Sequence, residues 1–240
     1  MTLPLQTVDP STGLGVVSLI GYSLLAVIGL RFGVYAVGSW RANAVEAQEV
    51  LWEYLAFAGL VAALFGGLGL GSLFVDWLAV FRDALLLGFV LILALAMRES
   101  YSQTVHARSE RDRSTGGRTL LELGFVALVL ATVVGAIVSS DPRFAQATVG
   151  VAGTGFMLYG TAFEQRQTAD AAVSGTMLDS LVRHLLVVLV FAGLLTTVEL
   201  ARAAMLNPAF VESVRATFVV MTATALMTAT IKLRQAAVGL

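Results

Sequence analysis

Seven stretches of mostly apolar residues divide the 240-residue chain: 14–38, 50–71, 74–97, 120–139, 144–163, 181–200 and 210–231. A hydrocarbon layer about 30 Å thick is crossed by roughly 20 helical residues, so each stretch is long enough to span it. Lipid offers no water to the peptide groups, so a spanning segment must be a helix or part of a closed barrel. None of the stretches alternates with period two over the lengths a barrel needs, which predicts an all-α fold. The chain is 58% hydrophobic and 13% charged, more apolar surface than a water-soluble globule can cover. The expectation is one domain of seven transmembrane helices, multi-pass in the cell membrane, with the lipid bilayer as its first partner.

The distribution of basic residues predicts the orientation. The connection from Arg98 to Arg118 holds five arginines, at 98, 108, 111, 113 and 118; the fifth connection adds Arg166 and Arg183, and the C-terminus adds Lys232 and Arg234. The opposite side holds Arg143, Arg202 and Arg215. The arginine-rich side is therefore expected in the cytoplasm and the N-terminus outside. No Lys or Arg precedes Arg31, so the first helix lacks a basic leader and is expected to stay in the mature chain. The long third connection contains Gly116-Gly117 and reads as a solvated loop, with Arg108, Arg111, Arg113 and Arg118 as its candidate contacts for a cytoplasmic protein.

Several chemistries have no residues to support them. The chain has no cysteine and two histidines, His106 and His184, which removes thiolate sites and multi-histidine metal centres. A net charge of −1 gives no pull toward nucleic acid. No Ser/His/Asp or paired-carboxylate constellation falls within the apolar stretches, so no enzyme is expected. Asp76, Arg82 and Asp83 are the ionisable residues at membrane depth, where charge is costly and marks function by default. Asp76 and Asp83 stack two turns apart on one helix face. The alternative reading leaves Asp76 among the headgroups and lets Arg82 snorkel outward. Arg31, Glu122 and Glu164 read as interfacial. Gly67 and Gly71 form a small-xxx-small pair, for packing within the chain or between copies in a homo-oligomer. Asn207-Pro208-Ala209 reads as a helix start, with Pro at the first helical position.

From residue 120 onward the chain resembles the haloarchaeal microbial rhodopsins. Val133-Val134-Gly135-Ala136-Ile137 followed by Pro142-Arg143-Phe144 is similar to the end of their fourth helix and the start of their fifth, and Met157-Leu158-Tyr159 fits the fifth. Leu181-Val182-Arg183-His184 with Val187-Val188-Leu189 resembles the start of the sixth. Phe218-Val219-Val220-Met221 and Leu233-Arg234 resemble the middle and end of the seventh. The resemblance implies a seven-helix bundle built to hold retinal on a helix-seven lysine. That position is Leu226 here, and the acid one turn earlier is Thr222. The helix-six wall of the retinal pocket corresponds to Val190, Gly193 and Leu194. With Arg82 matched to the family's arginine, Leu85 takes the counter-ion place and Leu86 the tryptophan place; a second register puts Asp83 at the counter-ion. Lys232 lies six residues past Leu226, beside Arg234 at the expected cytoplasmic interface.

Together these departures imply an opsin-like protein without covalent retinal, serving as a membrane interaction, signalling or accessory subunit. A channel or transporter gated by Asp76, Arg82 and Asp83 is the alternative, and a photoreceptor or pump using Lys232 the second. Gly155, Gly160 and Gly193 either leave a cavity for a lipid or carotenoid or allow closer helix packing.

Overall fold

The structure, a computed structural model, describes residues 13–42, 48–75, 77–106, 142–169 and 177–238, together with residues 123, 124, 127, 129–132 and 134. Six continuous helices run through them: α1 (Gly13–Ala42), α2 (Glu49–Gly71), α3 (Leu78–His106), α4 (Pro142–Ala169), α5 (Met177–Ala203) and α6 (Pro208–Val238). The described positions among residues 123–132 and 134 are helical as well. Five helices are long and apolar enough to cross a membrane, within α1, α2, α3, α5 and α6. This is a helical membrane protein. The expected span 144–163 lies in α4, whose 28 residues suffice in length but which is not one of those five; its residues include Arg143, Thr148, Thr154 and Glu164. The expected span 120–139 falls largely outside the described residues.

Each helix packs on its neighbours in chain order, and α6 returns to α1, so the six close a ring; α3 also reaches across to α5. The core is apolar, with Leu25, Phe32, Phe65, Leu87, Leu93 and Leu185 among the fully buried side chains. The outer surface is equally apolar: Val27, Leu30, Val34, Phe57, Leu64 and Val151 are exposed. A water-soluble bundle would place polar residues there, whereas lipid accepts them.

Glycine determines how close α1 and α2 come. A Cβ on Gly59 or Gly66 would collide with the α1 backbone at Gly33 and Ala26, and one on Gly29 would lie 2.6 Å from the backbone nitrogen of Ala63. Backbones this close gain dispersion contact along their length, the main attraction left once lipid has replaced water. The pair expected from sequence, Gly67 and Gly71, does not make this α1–α2 contact. Gly67 faces open space and Gly71 meets only the Leu78 side chain, because a one-helix spacing does not say which face turns inward.

The third helix begins at Leu78, four residues after the expected start at 74. The backbone N–H groups of Ser72, Leu73, Phe74 and Val75 donate back to carbonyls of Leu68, Leu70 and Gly71. Those residues therefore complete the winding of α2, and α3 starts only after the turn.

Candidate functional site

The connection between α5 and α6 is four residues long and tightly specified. Met205 takes a left-handed conformation at φ 57°. Leu206 N–H donates to Ala201 O at 3.2 Å and Met205 N–H to Arg202 O at 3.0 Å, the paired bonds of a Schellman stop. Asn207 then accepts at Oδ1 from Ala209 N–H at 3.0 Å and Phe210 N–H at 3.4 Å, capping α6, with Pro208 at its first position. The sequence-based reading of Asn207-Pro208 as a helix start holds. The turn aligns the last turns of α5 against the first turns of α6, and each carries an acid and an arginine three residues apart: Glu199 with Arg202, and Glu212 with Arg215.

These four residues join the two charges of α3 in an alternating series. Glu212 pairs with Arg202, whose Nη1 donates to Glu199 Oε2 at 3.1 Å. Glu199 Oε1 lies 2.9 Å from Arg215 Nη1, at ion-pair distance but without hydrogen-bond alignment. Arg215 Nη2 donates to Asp83 Oδ1 at 2.8 Å, and the same oxygen accepts from Arg82 Nε at 2.9 Å. Arg82 Nη1 ends the series on Ser72 Oγ at 3.1 Å, and Ser72 Oγ donates to Gly69 O at 2.8 Å. Arg215 Nε also donates to Tyr22 OH at 3.3 Å. Five of the six helices, or the turns ending them, are thereby tied at one end of the bundle.

The series contains three arginines and three carboxylates, so its formal charge cancels. Burial is deepest at its middle: the Glu212 and Arg202 side chains are 25% and 22% exposed, those of Arg215 and Glu199 2% and 0%, and those of Asp83 and Arg82 16% and 10%. A lone charge at such a site costs several kcal/mol, whereas close opposite charges with hydrogen bonds offset most of that cost. Arg215 is the largest fully buried side chain among the described residues.

Beyond the network the interior of α3 is apolar. Every buried residue of α3 from Ala84 to Met97 is apolar, and the next buried ionisable group on that helix is Glu99. Sixteen positions separate Glu99 from Asp83, about 24 Å of helix rise. Thr196, Thr222 and Thr230 are buried, and each donates to a carbonyl of its own helix, at Gly193, Phe218 and Leu226.

Of the site residues expected from sequence, the structure joins Arg82 and Asp83. Arg82 does not snorkel outward: it is 8% exposed and bonded to Asp83 and Ser72. Asp76, Glu122, Arg108, Arg111, Arg113 and Arg118 lie outside the described residues. Glu164, near the end of α4, is turned into the bundle at 4% exposure. Of the positions expected to correspond to a retinal pocket, Leu86, Thr222 and Leu226 are buried, and Leu85, Val190 and Leu194 are half-buried. A Cβ on Gly193 would meet Met157 at 2.5 Å, and one on Gly160 would meet Leu189 at 2.5 Å. Those glycines allow close packing and leave no cavity; Gly155 faces open space. Lys232 is half-buried, three residues before the end of the apolar part of α6 at Gln235. It stands seventeen positions after Arg215, about 26 Å of helix rise away.

Sequence reading missed Glu199, Arg202, Glu212, Arg215 and Tyr22 as site residues. The available signal was the repeated acid-to-arginine spacing of three on both sides of Asn207-Pro208, which places each pair on one helix face. Among the described residues, no group of three His, Cys, Asp or Glu side chains is arranged to hold a metal ion. Comparison with protein-family models, with curated proteins and with solved structures finds no match in any of the three.

Proposed function

We propose that the chain is a seven-helix, opsin-like protein of the cell membrane that does not bind retinal covalently and works as an interaction, signalling or accessory subunit. The observation that carries the reading is the separation of charge from core. The ionisable groups of the network satisfy one another at one end, and about 24 Å of apolar packing follows along α3. Moving an ion or proton through a membrane needs polar groups spaced across it, and along α3 that stretch supplies none. Leu226, at the lysine position of the rhodopsins, is 1% exposed in this packing.

The orientation expected from sequence, N-terminus outside, draws support from the same network. Arg202 and Arg215 both face the buried Glu199, so they weigh little as exposed charges in the topology count. The arginines of residues 98–118 then stand as the dominant cytoplasmic cluster, and with them the candidate surface for a cytoplasmic partner.

The test is an absorption spectrum of the protein expressed with all-trans retinal, before and after borohydride, alongside ion flux in proteoliposomes. No visible band fixed to the protein and no flux above empty vesicles is the expected result. A band fixed covalently at Lys232 overturns the retinal-free reading, and a flux abolished by Asp83→Asn overturns the scaffold reading.

A further inference from the structure

Away from the charge network, a cleft runs along the exposed apolar side of α1 and α2. The cleft has a volume of about 620 Å³, within the usual range for small-molecule sites. One face of each helix forms it. Leu30, Val34 and Val37 come from α1, Phe57 and Leu60 from α2, and the tight contact of Gly33 with Gly59 closes the floor. Gly38 widens the cleft, since a Cβ there would meet nothing within 4 Å.

Three features give the cleft a direction. From Leu30 to Arg41 it runs eleven positions, about 16 Å of helix rise, close to half of a hydrocarbon core about 30 Å thick. Its walls are apolar along that length. At its mouth, where α1 ends and α2 begins, stand Trp40, Arg41 and Glu53. Arg41 and Glu53 line the same cleft, and among the described residues they form no ion pair with each other or with a third group. A cation and an anion lining the mouth of a leaflet-deep apolar slot complement one class of molecule. Its tail is a hydrocarbon chain, and its head carries a negative and a positive group a few atoms apart.

We propose that the α1–α2 cleft binds one amine-bearing zwitterionic phospholipid, with an acyl chain in the slot, the phosphate on Arg41 and the ammonium on Glu53. A guanidinium holds a phosphate through charge-assisted hydrogen bonds, and a primary ammonium donates to a carboxylate in the same manner. The rest follows from Glu53. A purely anionic lipid brings no cation to it and places added negative charge beside it. A choline lipid has a quaternary nitrogen without an N–H to donate. Trp40 suits the site because tryptophan is enriched at the membrane–water interface. The site is independent of whether the protein binds retinal.

Native mass spectrometry of the purified full chain, offered ethanolamine, choline and glycerol phospholipids with identical acyl chains, tests it. The expected result is at least tenfold greater retention of the ethanolamine lipid than of either other. Arg41→Gln and Glu53→Gln should each reduce it to the choline level, and Gly38→Phe should abolish retention of all three. Leu60→Trp, at an exposed lining position, serves the same purpose should Gly38→Phe not fold. Equal retention of the three lipids overturns the proposal, since the cleft would then hold only bulk lipid. So does preference for the glycerol lipid, which would make it a plain anion site, or indifference to filling the slot.

Discussion

Arg215 of α6 bonds Asp83 of α3 at 2.8 Å across 132 residues of sequence, with neither side chain more than 16% exposed. Removing one member strands the other in low dielectric, so Arg215→Met is expected to cost about 3–5 kcal/mol of stability. Asp83→Asn costs less, since Arg215 keeps Glu199 nearby. The double variant should cost clearly less than the two single costs added, because the second change relieves the charge exposed by the first. Unfolding titrations of the four proteins in one detergent check this; strict additivity would remove the pair from the account.

Glu199 and Glu212 both pair with Arg202, yet they differ in exposure, 0% against 25%. Glu199→Gln is therefore expected to cost about 3–5 kcal/mol, and Glu212→Gln about 1 kcal/mol or less, the worth of a partly solvated pair. Raising the salt concentration should narrow the gap between Glu212→Gln and the parent and leave the effect of Glu199→Gln unchanged.

The α1–α2 seam gives a steric prediction. Gly59→Ala drives a methyl group into the backbone at Gly33 and should cost about 1–3 kcal/mol. Gly67→Ala, one helix face away with nothing within 4 Å, should stay within about 0.5 kcal/mol of the parent. Thermal midpoints in detergent separate the two. Equal effects would mean that α1 and α2 do not meet along Gly29, Gly33, Gly59 and Gly66.

The α5–α6 turn offers a gain and a loss. Met205 is 68% exposed and left-handed, a conformation costing a non-glycine residue about 1–2 kcal/mol. Met205→Gly should therefore stabilise by about 0.5–1 kcal/mol after the added freedom of the unfolded chain is subtracted. Asn207→Ala should destabilise by about 1 kcal/mol through the lost cap. Opposite shifts in melting temperature are the expected signature.

Hydropathy carried the helices because membrane length is written locally: the bounds of α1 and α2 lie close to the spans read from the chain. It could not carry the network. Arg202 and Arg215 flank a short turn and read as basic residues of the outer side, and only the approach of α3 gives Arg215 its partner Asp83. Gly29 and Gly33 were as visible as Gly67 and Gly71, but which pair meets a partner depends on helix rotation, and both faces of α2 are apolar. Arg82 was legible as a charge at depth, whereas its bond to Ser72 depends on a turn whose hydrogen bonds belong to α2.

The hydrogen bond from Arg215 to Tyr22 joins the last helix to the first, and this bears on biogenesis. Asp83 and Glu199 leave the ribosome before Arg215 does, with only Arg82 and Arg202 to offset them. The acids of α3 and α5 thus enter the membrane ahead of their shared cation. The bundle's polar end cannot close until the C-terminal helix has been delivered, and a chain stopped before residue 215 would present those carboxylates to quality control.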